Sequence, residues 1–284
     1  MNNLAGIKRI LSATLKGIAG ALLLIACIAL AGCSQRGKVM KFSIDDASLI
    51  LQDVASHDYD SVFDSPYLSA LKNIHDRYDL DVTIFVYENT DSFKIEDFPD
   101  KYKRELSENS DWLKFGWHGI DEHDPTEEGY TAEDLIASYM RTTDEIRRFA
   151  GKRAVSRELR LHFWYCGSSD MVNLLRENGV SGLYYPDSDV IGYDFDEEED
   201  TRIRSDSDGI LVKKYKGGKV KYQRTDLRLD NISDSDELLQ KLNEHKDDKT
   251  LVVFTHAWML SDTEKYLEPL CSWATDNDFK MDWN

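Results

Sequence analysis

Between residues 39 and 284, short runs rich in β-branched and aromatic residues alternate with stretches whose apolar positions recur every three or four residues. The first kind reads as buried strand, the second as amphipathic helix. Val39–Ile44 predicts a first strand. Ser65-Pro66 opens a helix carrying Leu68, Leu71, Ile74 and Tyr78. Strands are expected at Asp81–Tyr87 and Trp112–Trp117. Thr131 and Asp134 have the spacing of a capping box ahead of Leu135, Tyr139 and Ile146. Leu159–Tyr165 predicts a strand, Ser168–Glu177 a helix closed by Gly179, and Ser181–Tyr185 a strand. Asp234–His245 reads as helix, Leu251–Thr255 as strand and Asp262–Thr275 as a last helix. Ile210–Arg224 breaks the alternation: two β-rich arms flank Lys216-Gly217-Gly218-Lys219, which suits a tight hairpin turn.

Strand–helix alternation builds a parallel sheet or barrel whose strand C-termini share one face. Polar residues that follow the strands are therefore candidates for one pocket. The first strand runs into Asp45 and Asp46, and the third into His118, with Glu122 and His123 close behind. His162 lies near the end of its run, and His256 follows the late strand. His57, His75 and His245 sit in loop or helix contexts and are assigned no catalytic role. Asp pairs often do no more than begin a turn, and a strand-end histidine is more often a bonded core residue than a ligand. Their gathering at strand ends is what gives this set weight. Asp46, His118 and a third ligand suit zinc or a similar divalent ion, with a position left for water. Asp45 is then placed to take a proton and His256 to donate one from another strand end, the parts needed for metal-assisted hydrolysis of an acyl bond.

Composition narrows the setting. Residues 1–32 hold Lys8, Arg9 and Lys16, no acid, and an apolar run from Ile18 to Ala31, which together describe an export signal. Losing those three cations takes the net charge from −18 to −21. Such a chain is repelled by nucleic acid and by anionic lipid, which excludes nucleic acid as a partner. Cys166 and Cys271 lie outside the signal, too few and wrongly spaced for a structural zinc site; a bridge between them is left open. The acidic run Asp194–Asp200 reads as a solvated loop, without the spaced ligands of a calcium loop. Trp117, Trp164 and Trp258 each lie near a candidate site residue, where a ring stacks on a sugar or packs in the core.

Leu30-Ala31-Gly32-Cys33 resembles a bacterial lipobox. The resemblance implies cleavage before Cys33 and a lipid on its thiol. It places the protein outside the cytoplasm as a membrane-anchored lipoprotein of the cell envelope. A short tether then covers 33–38, and the length of 39–284 suits one domain. Ser43-Ile44-Asp45-Asp46 resembles the Thr-Phe-Asp-Asp motif of the polysaccharide deacetylases, and Trp117–His123 lies where their His-Ser-x-x-His motif belongs. The order of elements over residues 39–257 is also similar, and Leu251–His256 resembles the family's late strand with its acid histidine. This resemblance implies a distorted (β/α) barrel with the hairpin near 210–224 as an excursion. It implies an acetylated glycan as substrate and a divalent metal, zinc first among candidates. Asp45 becomes the base, Asp46, His118 and His123 the ligands, and His256 the acid. His118 and His123 are five apart where the family has four, and Glu122 occupies the fourth position as an alternative ligand. The family's Arg-Pro-Pro-Tyr segment corresponds to His162–Tyr165, so His162 or Arg160 stands in for the arginine that orients the base. Asp187 or Asp189 is the counterpart of the carboxylate that orients the acid. These departures leave a second reading, a non-catalytic glycan-binding lipoprotein that keeps the fold.

Overall fold

The first strand sets the plan: its odd and even residues separate two environments. The computed structural model describes residues 37–166 and 168–281. The chain divides into two units, 1–37 and 38–284, and all the elements below belong to the second. The expected signal, Cys33 and most of the tether lie outside the described residues. No helix among the described residues is long and apolar enough to cross a membrane.

Strand β1 is Lys38–Asp45, followed by helices α1 (Ser48–Ser56) and α2 (Pro66–Tyr78). Then come β2 (Val82–Tyr87), α3 (Lys103–Glu108), β3 (Leu113–Gly119) and α4 (Ala132–Phe149). The second half holds β4 (Glu158–Leu159), α5 (Ser169–Glu177), β5 (Gly182–Tyr185) and α6 (Glu197–Ser205). Strands β6 (Ile210–Tyr215), β7 (Gly218–Arg224) and β8 (Leu227–Arg228) follow. The chain closes with α7 (Ser235–Glu244), β9 (Thr250–His256), α8 (Leu260–Asp276) and β10 (Phe279–Lys280).

The strands form two sheets. One runs β3-β2-β1-β9-β8, with β10 also on β1, and every pairing in it is parallel. The other runs β4-β5-β7-β6, antiparallel only between β6 and β7, which form the expected hairpin. Its turn needs Gly217 and Gly218, whose φ values of 89° and 137° suit glycine alone. Where the sequence suggests one barrel sheet, the strands form two ladders. They touch at a parallel bridge between Phe115 and Val155, where Ser156 donates to the Phe115 carbonyl at 2.7 Å. On the other side β7 passes straight into β8, and the Asp226 carboxylate accepts from the Val252 amide at 2.8 Å.

On β1, Met40, Phe42 and Ile44 pack in the larger apolar core, which also holds Leu71 of α2 and Leu267 of α8. Lys41, Ser43 and Asp45 occupy the opposite, interior face, as the two-residue period of a strand requires. β9 repeats the pattern, with Leu251 and Val253 in the larger core and Val252 in the second.

An ion pair spans the interior. Lys41 Nζ lies 2.5 Å from Glu158 Oε2, and Lys221 Nζ 3.0 Å from Glu158 Oε1. Burial alone raises a carboxyl, but Lys41 and Lys221 outweigh it and hold Glu158 down to about 2. Because the folded value lies below the unfolded one, this contribution to stability is present above pH ~4.3 and is lost as pH falls toward 2. Glu158→Ala leaves Lys41 buried without its carboxylate and is expected to destabilise the fold by about 3 kcal/mol. Urea unfolding at neutral pH measures this.

Two expectations fail here. Leu159–Tyr165 is not one strand: β4 ends at Leu159, and His162–Trp164 form a 3₁₀ turn in which Phe163 and Trp164 take φ values of 52° and 51°. The run is apolar because it lines a cavity, not because it joins a ladder. The acidic run is not a loop throughout: Asp196 and Glu199 form a capping box and residues 197–200 make the first turn of α6. Carboxylates are favoured at a helix N-terminus, so the residues that suggested solvation start a helix.

Candidate metal centre

The same alternation that points Asp45 inward also points Tyr87 of β2 and His256 of β9 inward, all at strand C-termini. Asp45 and His256 are register partners across the β1–β9 ladder. Asp46 follows with φ 52°, a left-handed turn that Asp tolerates better than most residues. That turn ends the strand and separates the neighbouring acids, so the two carboxylates meet different partners.

Asp46 Oδ1 lies 3.2 Å from His118 Nε2 and 3.9 Å from His162 Nδ1. The ligand atoms of these three residues lie within 4.8 Å of one another. His118 donates from Nδ1 to the Arg160 carbonyl at 2.6 Å, which turns Nε2 toward Asp46. His162 Nε2 lies 3.3 Å from the Glu122 carbonyl, which leaves Nδ1 as the acceptor nitrogen on the Asp46 side. Burial, and then the charge of His118, lower the His162 pKa to about 4, so its ring is neutral at pH 7. Burial disfavours charge on His118 too, but Asp46 and Asp45 outweigh it and raise its pKa. The carboxylates thus favour positive charge where Nε2 points. Two imidazoles with their remote nitrogens tied to carbonyls, and one carboxylate, make a donor set that fits a divalent ion.

Tyr87 stands in the same cluster. Its hydroxyl donates to Asp46 Oδ1 at 2.5 Å and lies 2.9 Å from His162 Nδ1. Trp258 Nε1 donates to Asp46 Oδ2 at 3.1 Å. Burial would raise the Asp46 carboxyl, but His118, Tyr87 and His256 hold it well below the usual carboxylate range.

Asp45 faces an arginine. Arg160 Nε pairs with Asp45 Oδ2 at 3.0 Å, and Ser43 Oγ donates to Oδ1 at 3.4 Å. Burial pushes the Asp45 carboxyl up, against Arg160, His118 and His256. His256 Nε2 lies 3.9 Å from Asp46 Oδ2, and its Nδ1 bonds to Asp230. Asp230 is itself fixed: Thr255 Oγ1 donates to it at 2.6 Å and Arg228 Nε at 2.8 Å.

Several expected positions change. His123, the expected third ligand, is outside the cluster: its amide closes a turn on Asp121 and its ring, 52% exposed, faces Asp121 at 3.4 Å. Glu122 is exposed and only its backbone carbonyl reaches the site. His162 stands where the sequence reading put His123, because the 3₁₀ turn after β4 carries its ring inward. Of the two residues weighed for orienting the base, Arg160 contacts Asp45. Asp187 and Asp189 make no bond to His256 among the described residues; Asp230 takes that nitrogen. Asp230 went unread because β8 is two residues long, although it too is an acid just past a strand. Trp117 is core, its Nε1 donating to Ser138 on α4 at 3.0 Å, whereas Trp258 is 55% exposed and stacks on His256. Cys166 and Cys271 are both free and buried. Asp226, His245 and Asp248 also gather, but Arg224 lies 2.5 Å from Asp226 and 3.1 Å from Asp248 and already supplies the cation.

No family sequence model matches the chain, and no curated protein sequence matches it. Solved structures do. A Mycobacterium smegmatis protein provisionally assigned as a polysaccharide deacetylase superposes with a TM-score of 0.53 at 14% identity, covering 88% of this chain and 87% of its own. The fold is that of a polysaccharide deacetylase. A Bacillus cereus polysaccharide deacetylase aligns over 86% of this chain and 91% of its own, at 11% identity and a TM-score of 0.45. A 4-alpha-glucanotransferase from Thermococcus litoralis reaches 0.50 at 11% identity over 86% of this chain but 37% of its own length. The deacetylase fold is therefore shared with an enzyme named for another reaction, and function has to be argued from the side chains.

Proposed function

We propose that the protein is a metal-dependent hydrolase that removes acetyl groups from an N- or O-acetylated glycan. In this reading it works outside the cytoplasm, tethered to a membrane of the cell envelope by a lipid on Cys33. The observation that carries the chemistry is the meeting of Asp46, His118 and His162 beside a separately held Asp45 and His256. Asp46, His118 and His162 would hold the ion, zinc or a similar divalent metal, which supplies a Lewis acid and a water of lowered pKa when bound. Asp45 takes the proton of the attacking water, and Arg160 keeps its carboxylate aimed. His256, as the imidazolium, gives its Nε2 proton to the departing nitrogen or oxygen, and Asp230 at Nδ1 supports that charge and keeps Nε2 turned to the site. The activity assigned to the M. smegmatis protein supports this reading.

Acetate release from acetylated oligosaccharides, with and without added zinc, is the test. Ion-dependent release is expected, and its absence with every metal and acetylated sugar tried would defeat the proposal. One observation favours the second reading, a glycan-binding protein without turnover: the Tyr87 hydroxyl stands among the ligand atoms, where a hydrolase keeps room for water. Sugar binding with neither ion nor acetate release would favour it. Under the hydrolase reading Tyr87 braces Asp46 and His162, and Tyr87→Phe is expected to weaken ion binding about 10- to 100-fold. Competition against a chromophoric chelator measures that loss.

A further inference from the structure

The cavity beside the candidate metal centre is lined by two guanidinium groups in a chain whose net charge is −18. It measures about 230 Å³, and Asp45, Arg160, Phe163, Arg228, Phe254 and His256 are among its walls. Neither arginine is fully used by the protein. Arg160 is 1% exposed; its Nε faces Asp45 and its Nη1 donates to Thr225 at 2.6 Å, but its Nη2 is buried with no hydrogen-bond partner among the described residues. A buried guanidinium nitrogen left unpaired costs free energy that a ligand oxygen relieves. Arg228 spends Nε on Asp230 and is only partly covered, over the Phe254 ring. Its terminal nitrogens make no hydrogen bond among the described residues. Planar guanidinium forks match the paired oxygens of a carboxylate, sulfate or phosphate. At the site, Phe163 is 52% exposed and Trp258 55%, apolar surfaces suited to a sugar ring.

We propose that the acetylated sugar bound here is anionic, with its charged group held by Arg228 on the cavity wall that it shares with Arg160. This rests on the hydrolase reading for the acetyl group, but the anion preference is a binding property that stands apart from turnover. The overall negative charge repels such a sugar at a distance, so the preference has to come from these local contacts, which suits a site meant to select rather than to attract.

The test compares N-acetylated oligosaccharides that differ only in one substituent of the acetylated ring: neutral hydroxymethyl, carboxylate or sulfate. An anionic sugar is expected to exceed the neutral one in kcat/KM by about 10- to 100-fold, and the carboxylate and sulfate arms tell which anion the fork fits. Arg228→Gln is expected to bring that ratio within about threefold of unity; a merely structural loss of support for Asp230 and His256 would lower both substrates alike and leave the ratio standing. Raising the salt concentration on the unaltered protein should shrink the preference as well. Equal or better use of the neutral sugar overturns the proposal, as does a ratio untouched by Arg228→Gln. If no sugar releases acetate, calorimetric binding of the same three sugars still decides this inference while the hydrolase reading falls.

Discussion

In His118→Ala the protein is expected to lose its ion and, with it, acetate release down to the uncatalysed background. His118 Nε2 is the nearest imidazole nitrogen to Asp46 among the described residues, and the ring is buried and fixed by the Arg160 carbonyl. Nothing else in the cluster can take its place: His162 already contributes, and His123 faces solvent. Removing a direct donor should cost more than the 10- to 100-fold typical of outer partners such as Tyr87. Metal content after dialysis, read beside acetate release, checks both halves. Full metal content with unchanged rate would show that the ion is held elsewhere.

Asp45→Asn should separate binding from chemistry. The amide keeps the shape and still accepts from Ser43, but it takes no proton. A loss of about 10³ in kcat is expected, within the range for a positioned general base, while ion affinity changes little because Asp45 lies outside the ligand cluster. Burial pushes the Asp45 carboxyl up against Arg160, His118 and His256, which strengthens its hold on a proton relative to a free carboxylate. A variant that retains its rate would assign the base elsewhere.

Much of this was legible in the chain because strand periodicity is local. Val39–Ile44 predicts a strand, and Asp45, His118 and His256 are reached as polar residues that follow strands whose C-termini share one face. What failed depended on three-dimensional encounters. His123 looked like a ligand by its distance from His118, but the turn at Asp121 sends its ring outward. His162 lies 44 positions after His118 in the chain, and it meets the cluster from a 3₁₀ turn just past β4 that the apolar run concealed. Asp230 follows a strand of two residues, below the length at which alternation can be read. Residues 197–200 showed charge without the apolar period that marks a helix, and Ile203 is the one residue of α6 that is buried.

The two ladders meet at few points, and one bond that bridges them also sets the tautomer of a ligand: His118 of β3 gives its Nδ1 hydrogen to Arg160, just past β4. An ion gripped by His118, His162 and Asp46 would act as a clasp across that join, since its donors come from both sides. Metal loading should then slow hydrogen exchange at the Ser156 amide, which closes the same join on Phe115, more than at amides deep within either ladder. Breathing of the join between the ladders and release of the ion would be one event seen from two ends.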